Sequence, residues 1–139
     1  MKFSQNRDLG LLVLRVGIGF MFVLHGLSKL LGGSGTWESI GQKGLPFLPE
    51  GFLVLIFGLA AAVAEFGGGI LLCLGLFHRY VCAVLGLTMA VAFTTKLEAI
   101  TGPLDFASAA GWPLELLIVF VALFLTGPGR YVVSKKPGF

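Results

Sequence analysis

The sequence predicts an all-α integral membrane protein, folded as an antiparallel bundle of four helices in one domain, 1–139. Composition is the first reason: 56% of the 139 residues are hydrophobic and 12% are charged. A soluble domain of this size has too little polar surface to cover so many apolar side chains. Four apolar runs, separated by polar or Gly/Pro-containing segments, are the second reason. The 21 glycines are the third, because small residues let helix backbones approach closely in lipid.

The first two apolar runs are each long enough to cross a bilayer. They cover about 9–31 and about 52–77, and a span needs about 20 apolar residues. The first run is longer than a signal-peptide core and no small-x-small cleavage site follows it, so we expect it to be retained as a helix. The connection between the two runs, 32–51, is expected to be ordered and to lie on the outer surface.

The third and fourth runs complete the predicted bundle. The third covers about 80–100 and the fourth about 106–126. The continuous apolar helix that starts at Pro113 would rise only about 21 Å. We therefore expect the small residues before it to add one or two helical turns at membrane depth, capped by Asp105 and kinked at Gly111 and Pro113.

The distribution of basic residues predicts the orientation. With four spans both termini share one side, and the positive-inside rule places the more basic side in the cytoplasm. That side collects six basic residues: Lys2, Arg7, Arg79, Arg130, Lys135 and Lys136. We therefore expect a multi-pass protein of the plasma (inner) membrane with both termini cytoplasmic. The net charge of +3 forms no basic stripe, so the sequence does not indicate nucleic-acid binding.

Glu65 is the most costly residue of the predicted membrane interior. A carboxylate in the middle of a span costs about 2.5–3.5 kcal/mol to insert on translocon scales, so it needs a partner. The first span offers Arg15, His25 and Lys29. Arg15–Glu65 and His25–Glu65 are both feasible pairs, and His25 and Lys29 share a helix face because they are four residues apart.

Two interpretations of these residues stay open. In the structural one, Arg15 and Glu65 form an ion pair that sets the helix register, and His25 makes a hydrogen bond between helices. In the functional one, these residues point inward or toward a cavity open to the outer leaflet. Glu65 and His25 are then the catalytic, proton-handling groups, because intramembrane ionisable residues are functional candidates and histidine titrates near working pH. Arg15 and Lys29 would bind the ligand.

Four further residues also have both a structural and a functional interpretation. Glu115, in the first turn of the fourth helix, and Trp112, near the outer interface, complete the candidate ligand-binding set, although both also suit ordinary interfacial positions. Cys73 and Cys82 should lie at similar depth on neighbouring helices, as buried small residues or as a redox pair. The sequence has no metal-ligand spacing of His and Cys.

The same residues form a pattern that resembles the DoxX family of small membrane proteins. The stretch from Arg15 to Lys29 is similar to that family's first helix, and Ala64-Glu65-Phe-Gly-Gly-Gly69 to its second. Thr126-Gly-Pro-Gly-Arg130-Tyr resembles its closing motif, and Glu115 matches an acidic position that often opens its last helix. The resemblance covers about 9–131. It implies a four-helix membrane protein and a family whose members include subunits linked to thiosulfate:quinone oxidoreduction and to thiol homeostasis.

The sequence therefore predicts a membrane redox subunit that binds a quinone-like headgroup at its charged site. No haem, flavin or metal motif is visible, so electrons would come from a partner membrane or peripheral redox subunit. Quinone is the one cofactor expected, and a homo-oligomer is left open. Two alternatives remain: a non-catalytic assembly or anchoring subunit, and a small proton-coupled transporter with the same charges along its path.

Overall fold

A computed structural model describes residues 2–97, 100–102 and 105–133. Over these residues the chain is all-α and contains no strand, as predicted. Its elements are helices α1 (Lys2–Leu31), α2 (Gly33–Gly44), α3 (Phe52–Leu74) and α4 (His78–Thr94), a π-helical segment (Phe106–Ala110) and helix α5 (Gly111–Thr126). Both α1 and α3 are long and apolar enough to cross a membrane.

Helices α1 and α3 form an antiparallel pair whose backbones touch. A Cβ atom added at Gly19 would overlap the carbonyl oxygen of Gly69, and one added at Gly26 would overlap the backbone of Phe66. Glycine is therefore required at both contacts, in the way that small residues bring membrane helices together. This register determines which polar side chains of the two helices can meet.

The segment between the first two spans contains a helix that the sequence analysis did not predict. Helix α2 packs on the beginning of α3. Gly41 of α2 lies against the backbone of Val54, and Gly58 of α3 lies against the backbone of Trp37, with no room for a Cβ at either glycine. Helix α2 has a low apolar content, so the apolar pattern did not indicate it, and its Gly41 is a contact residue rather than a loop residue.

Helix α3 ends at Leu74, three residues before the predicted boundary, because the next residue turns the chain. Gly75 has a left-handed backbone with φ 73°. Its N–H donates to Leu72 O at 3.1 Å, and the N–H of Leu76 donates to Leu71 O at 3.0 Å. This is the hydrogen-bond pattern with which glycine closes helices. Helix α4 can then begin at His78 instead of Tyr80.

The apolar core lies between α1, α3, α4 and α5. Phe22 of α1 and Phe120 of α5 meet edge to face with ring centroids 5.1 Å apart. The buried residues that join them are Leu72, Val81, Cys82, Leu85, Met89 and Leu123. Leu123 of α5 lies against His78, and Phe120 and Leu117 lie near Gly86, so α4 and α5 are antiparallel.

The helical turns predicted before α5 are present as a π-helix, with Asp105 at its N-cap position. The Asp105 side chain makes no capping hydrogen bond. Its carboxylate instead accepts a hydrogen bond from the Thr101 hydroxyl. Pro113 lacks an N–H and so interrupts the i→i−4 hydrogen-bond series, which favours the wider turn in front of it.

Candidate functional site

Glu65 is paired with Lys29 across the contact between α1 and α3. The Lys29 Nζ atom donates to both carboxylate oxygens at 2.5 Å. The Glu65 side chain is 4% exposed, whereas the Lys29 side chain is 30% exposed. The antiparallel register beyond Gly26 places these two residues at the same level. The predicted need for a cationic partner is therefore confirmed, and the cation is Lys29.

Helix α2 covers this end of α1. The indole N–H of Trp37 donates to the Lys29 carbonyl oxygen at 2.9 Å. Because the backbone of Trp37 also lies against Gly58, one residue links α2 to both α1 and α3. The ion pair therefore sits in a corner formed by three helices, with the Lys29 side chain as its more open member.

Arg15 is buried as expected, but the prediction that it pairs with Glu65 is wrong. Its two terminal nitrogens donate to carbonyl oxygens of the segment after α5, to Pro128 O at 3.1 Å and to Tyr131 O. The guanidinium lies next to Gly75, ten residues or about 15 Å of helix from Glu65. Snorkelling along the helix does not bridge that distance.

The other predicted site residues are not brought inward. His25 and Glu115 are exposed, and Trp112 is 46% exposed. His25 and Glu115 therefore do not point into the bundle. Their roles in catalysis and in ligand binding stay predictions, since an exposed side chain can still meet a ligand that arrives from the lipid side.

The structure buries two ionisable residues that the sequence analysis missed. His78 is buried, and its Nε2 lies 3.0 Å from Leu123 O, to which an N–H there would donate. Asp8, near the start of α1, is also buried. Asp8 precedes Arg15 by seven residues, about two turns, so both lie on one face of α1, and this spacing could have indicated that they are buried together. Cys82 is buried, its Sγ 3.7 Å from His78 Nε2, and both cysteines are free.

A pocket of about 620 Å³ lies where the start of α1 meets the segment after α5, not beside the Lys29–Glu65 pair. We call it the terminal pocket. The start of α1, the end of α3 and the segment after α5 form its walls: Asp8, Leu12, Arg15, Cys73, Leu74, Arg130, Tyr131, Val132 and Val133. The cavity expected around Glu65 and His25 is thus not this pocket. In the described part of the chain no cluster of three His, Cys, Asp or Glu side chains could hold a metal ion.

Replacing Arg15 by methionine is expected to release the segment that follows α5. The change removes both hydrogen bonds to that segment, each worth about 1.5–3 kcal/mol for a charged donor. Trypsin cleavage after Arg130 should then accelerate about ten-fold or more. Arg79→Gln, at an exposed arginine, is the matched control and should leave the cleavage rate unchanged. Equal rates in both variants would contradict this role of Arg15.

Comparison with known proteins gives a consistent family match. The DoxX family model matches residues 10–97. A Bacillus subtilis protein named "Putative oxidoreductase CatD" is 36% identical over 125 residues, 89% of this chain and 84% of that protein. An uncharacterized protein of Haemophilus influenzae is 34% identical over 144 positions, 97% of this chain and 96% of its own. The Escherichia coli "Inner membrane protein YqjF" is 27% identical over 133 residues, 95% of each chain. No solved structure matches significantly.

Proposed function

The chain belongs to the DoxX family of membrane proteins, and we propose that it is a small membrane subunit of a redox system. In this proposal it binds a quinone-like or similarly polar-headed ligand at the Lys29–Glu65 pair. The observation that carries the proposal is a buried carboxylate whose cationic partner is only partly covered. Buried ionisable groups in membrane proteins are expensive, and they mark functional sites by default.

The chemistry of the pair suits a carbonyl or hydroxyl headgroup. A lysine ammonium has three N–H donors, and two of the Lys29 contacts go to the Glu65 oxygens. The third hydrogen is left to donate to a quinone oxygen on the more exposed side of Lys29. Glu65 then takes or returns the quinol proton, and a partner redox subunit exchanges the electrons. His25, exposed and one turn before Lys29 on α1, is the proposed second proton carrier.

The proposed membrane arrangement has four antiparallel spans in one domain. Helices α1, α3 and α4 form three of them. The π-helical segment and α5 form the fourth, and together their 21 residues (106–126) rise about 30 Å, the thickness of the hydrocarbon layer. Helix α2 would lie at the outer surface. Three exposed arginines, Arg7, Arg79 and Arg130, follow the predicted basic side and support cytoplasmic termini in the inner membrane.

The name of the Bacillus subtilis relative supports a redox role, since that protein is called an oxidoreductase, and the Escherichia coli relatives are called inner membrane proteins. A second candidate is a non-catalytic assembly subunit. It is favoured by the completeness of the pair, because Lys29 contacts both oxygens of Glu65 and needs no ligand to neutralise it. The two candidates differ in whether a small molecule stays bound at the pair.

The deciding experiment is mass spectrometry of quinone extracted from the protein purified in mild detergent. We expect quinone to be retained by the wild type and reduced about ten-fold by Glu65→Gln, because Lys29, which donates to the quinone oxygen, loses the carboxylate that positions its ammonium. Glu38→Gln, at an exposed glutamate of α2, is the matched control and should retain quinone. Quinone is counted per folded protein. A wild type without quinone but with a stoichiometric partner protein would favour the assembly subunit instead.

A further inference from the structure

The terminal pocket holds charge that the described residues leave incompletely paired. Asp8 is only 2% exposed, and its Oδ2 has no hydrogen-bond partner among the described residues. Arg15 is 1% exposed, and its Nε atom likewise has none in that part of the chain. A buried charge is costly unless it is paired and hydrogen-bonded. Both residues line the pocket, so a ligand there would complete their pairing.

The lining of the pocket combines the two signs of charge with apolar surface. Arg15 and Arg130 supply two guanidinium groups, and Asp8 supplies one carboxylate. Guanidinium groups are the preferred protein partners of phosphate. An ionised carboxylate can only accept hydrogen bonds, and a primary ammonium is a cationic donor that suits it. The complementary ligand therefore carries a phosphate and an ammonium a short distance apart.

The position of the pocket along α1 indicates a lipid as the source of that ligand. Helix α1 has 30 residues and is about 45 Å long, whereas the hydrocarbon layer is about 30 Å thick. If Leu31 lies near the outer boundary, the inner boundary falls near Leu11. Asp8 then lies at the level of the lipid headgroups. Leu12 and Leu74 in the pocket wall offer apolar surface toward the acyl chains.

We propose that the terminal pocket binds the phosphoethanolamine headgroup of a membrane lipid. The phosphate lies between Arg130 and Arg15, and the primary ammonium donates to Asp8. Arg15 also shapes the pocket, because its hydrogen bonds to Pro128 O and Tyr131 O hold the segment that forms one wall. This inference rests on the proposed membrane position of α1 and is independent of the quinone site, which lies about 15 Å away along α3.

The test compares lipids that differ only in the headgroup. The full chain is purified in mild detergent, delipidated, and incubated with equimolar phosphatidylethanolamine and phosphatidylcholine of identical acyl chains. Bound lipid is counted by native mass spectrometry. The wild type should prefer phosphatidylethanolamine about ten-fold, because the trimethylammonium of phosphatidylcholine cannot donate the charged hydrogen bond to Asp8.

Three variants locate the preference in the pocket. Asp8→Asn should reduce the ratio of the two lipids to about two-fold or less. Arg130→Gln, at an exposed residue outside the helices, should weaken binding of both lipids and keeps the test usable if Asp8→Asn lowers the yield. Arg7→Gln, at an exposed arginine that does not line the pocket, should behave as the wild type.

Several outcomes would overturn the proposal. The contact between the ammonium and Asp8 is refuted if the wild type binds phosphatidylethanolamine and phosphatidylcholine equally. It is also refuted if Asp8→Asn leaves the ratio of the two lipids unchanged. Equal binding of phosphatidylglycerol shows a simple anion site. The last measurement adds soluble O-phosphoethanolamine to the lipid-bound protein. Displacement of phosphatidylethanolamine at millimolar concentration supports recognition of the headgroup. Binding of that soluble compound with exclusion of the lipid would show that the natural ligand is not a lipid.

Discussion

Lys29→Met is expected to lower the free energy of unfolding by about 3–5 kcal/mol, the cost of leaving one member of a buried ion pair without its partner. Glu65 is nearly inaccessible and both of its oxygens are held by Lys29. Without that cation the carboxylate is left buried and unpaired. Equilibrium unfolding in detergent micelles, titrated with a denaturing detergent, measures the loss.

The double variant Lys29→Met, Glu65→Met separates pairing from packing. Replacing both members of a buried pair by apolar residues of similar volume is often neutral or stabilising by about 1–4 kcal/mol, so the double variant should recover most of the stability. Lys43→Met, at an exposed lysine of α2, is the control and should change the unfolding free energy by less than about 0.5 kcal/mol. A double variant as unstable as Lys29→Met would show that the stability lost by that variant comes from packing rather than pairing.

Gly26→Ala is expected to destabilise the protein more than a glycine-to-alanine change anywhere else in α1. The added Cβ would overlap backbone and side-chain atoms of Phe66. A backbone cannot rotate away as a side chain can, so α1 and α3 must separate. Overpacking of this kind costs about 1–3 kcal/mol or more, and the expected loss is at the upper end of that range. Separation of the helices also moves Lys29 away from Glu65.

The same substitution elsewhere in α1 gives the matched control. Gly17 is exposed, and a Cβ added there meets no atom within 4 Å. Gly17→Ala should therefore raise the unfolding free energy by about 0.5–1 kcal/mol through helix propensity alone. Thermal denaturation of the two variants in one detergent compares them directly. If Gly26→Ala were as stable as Gly17→Ala, the close contact of α1 with α3 would be refuted.

Sequence reasoning found the long helices because their signal is local. An apolar run of sufficient length predicts a helix whatever surrounds it. Helices α3, α4 and α5 lie within the predicted runs apart from two residues at the start of α4, whereas α1 begins seven residues before its run. Helix α2 escaped because it is polar and glycine-rich, and its stability comes from packing on α3 instead of from its own composition. The end of α3 and the beginning of α4 were misplaced because Gly75 adopts a left-handed conformation that only the folded turn reveals.

The sequence by itself determined that Glu65 requires a cation, since the cost of burying a carboxylate belongs to that residue alone. Only the tertiary structure decided that the cation is Lys29. The glycine contacts at Gly19 and Gly26 set the antiparallel register of α1 on α3, and that register places Arg15 about 15 Å too far along the helix. The same structure turns the segment after α5 back onto α1, which buries Asp8 and forms the terminal pocket, because carbonyl groups far along the chain accept the hydrogen bonds of Arg15.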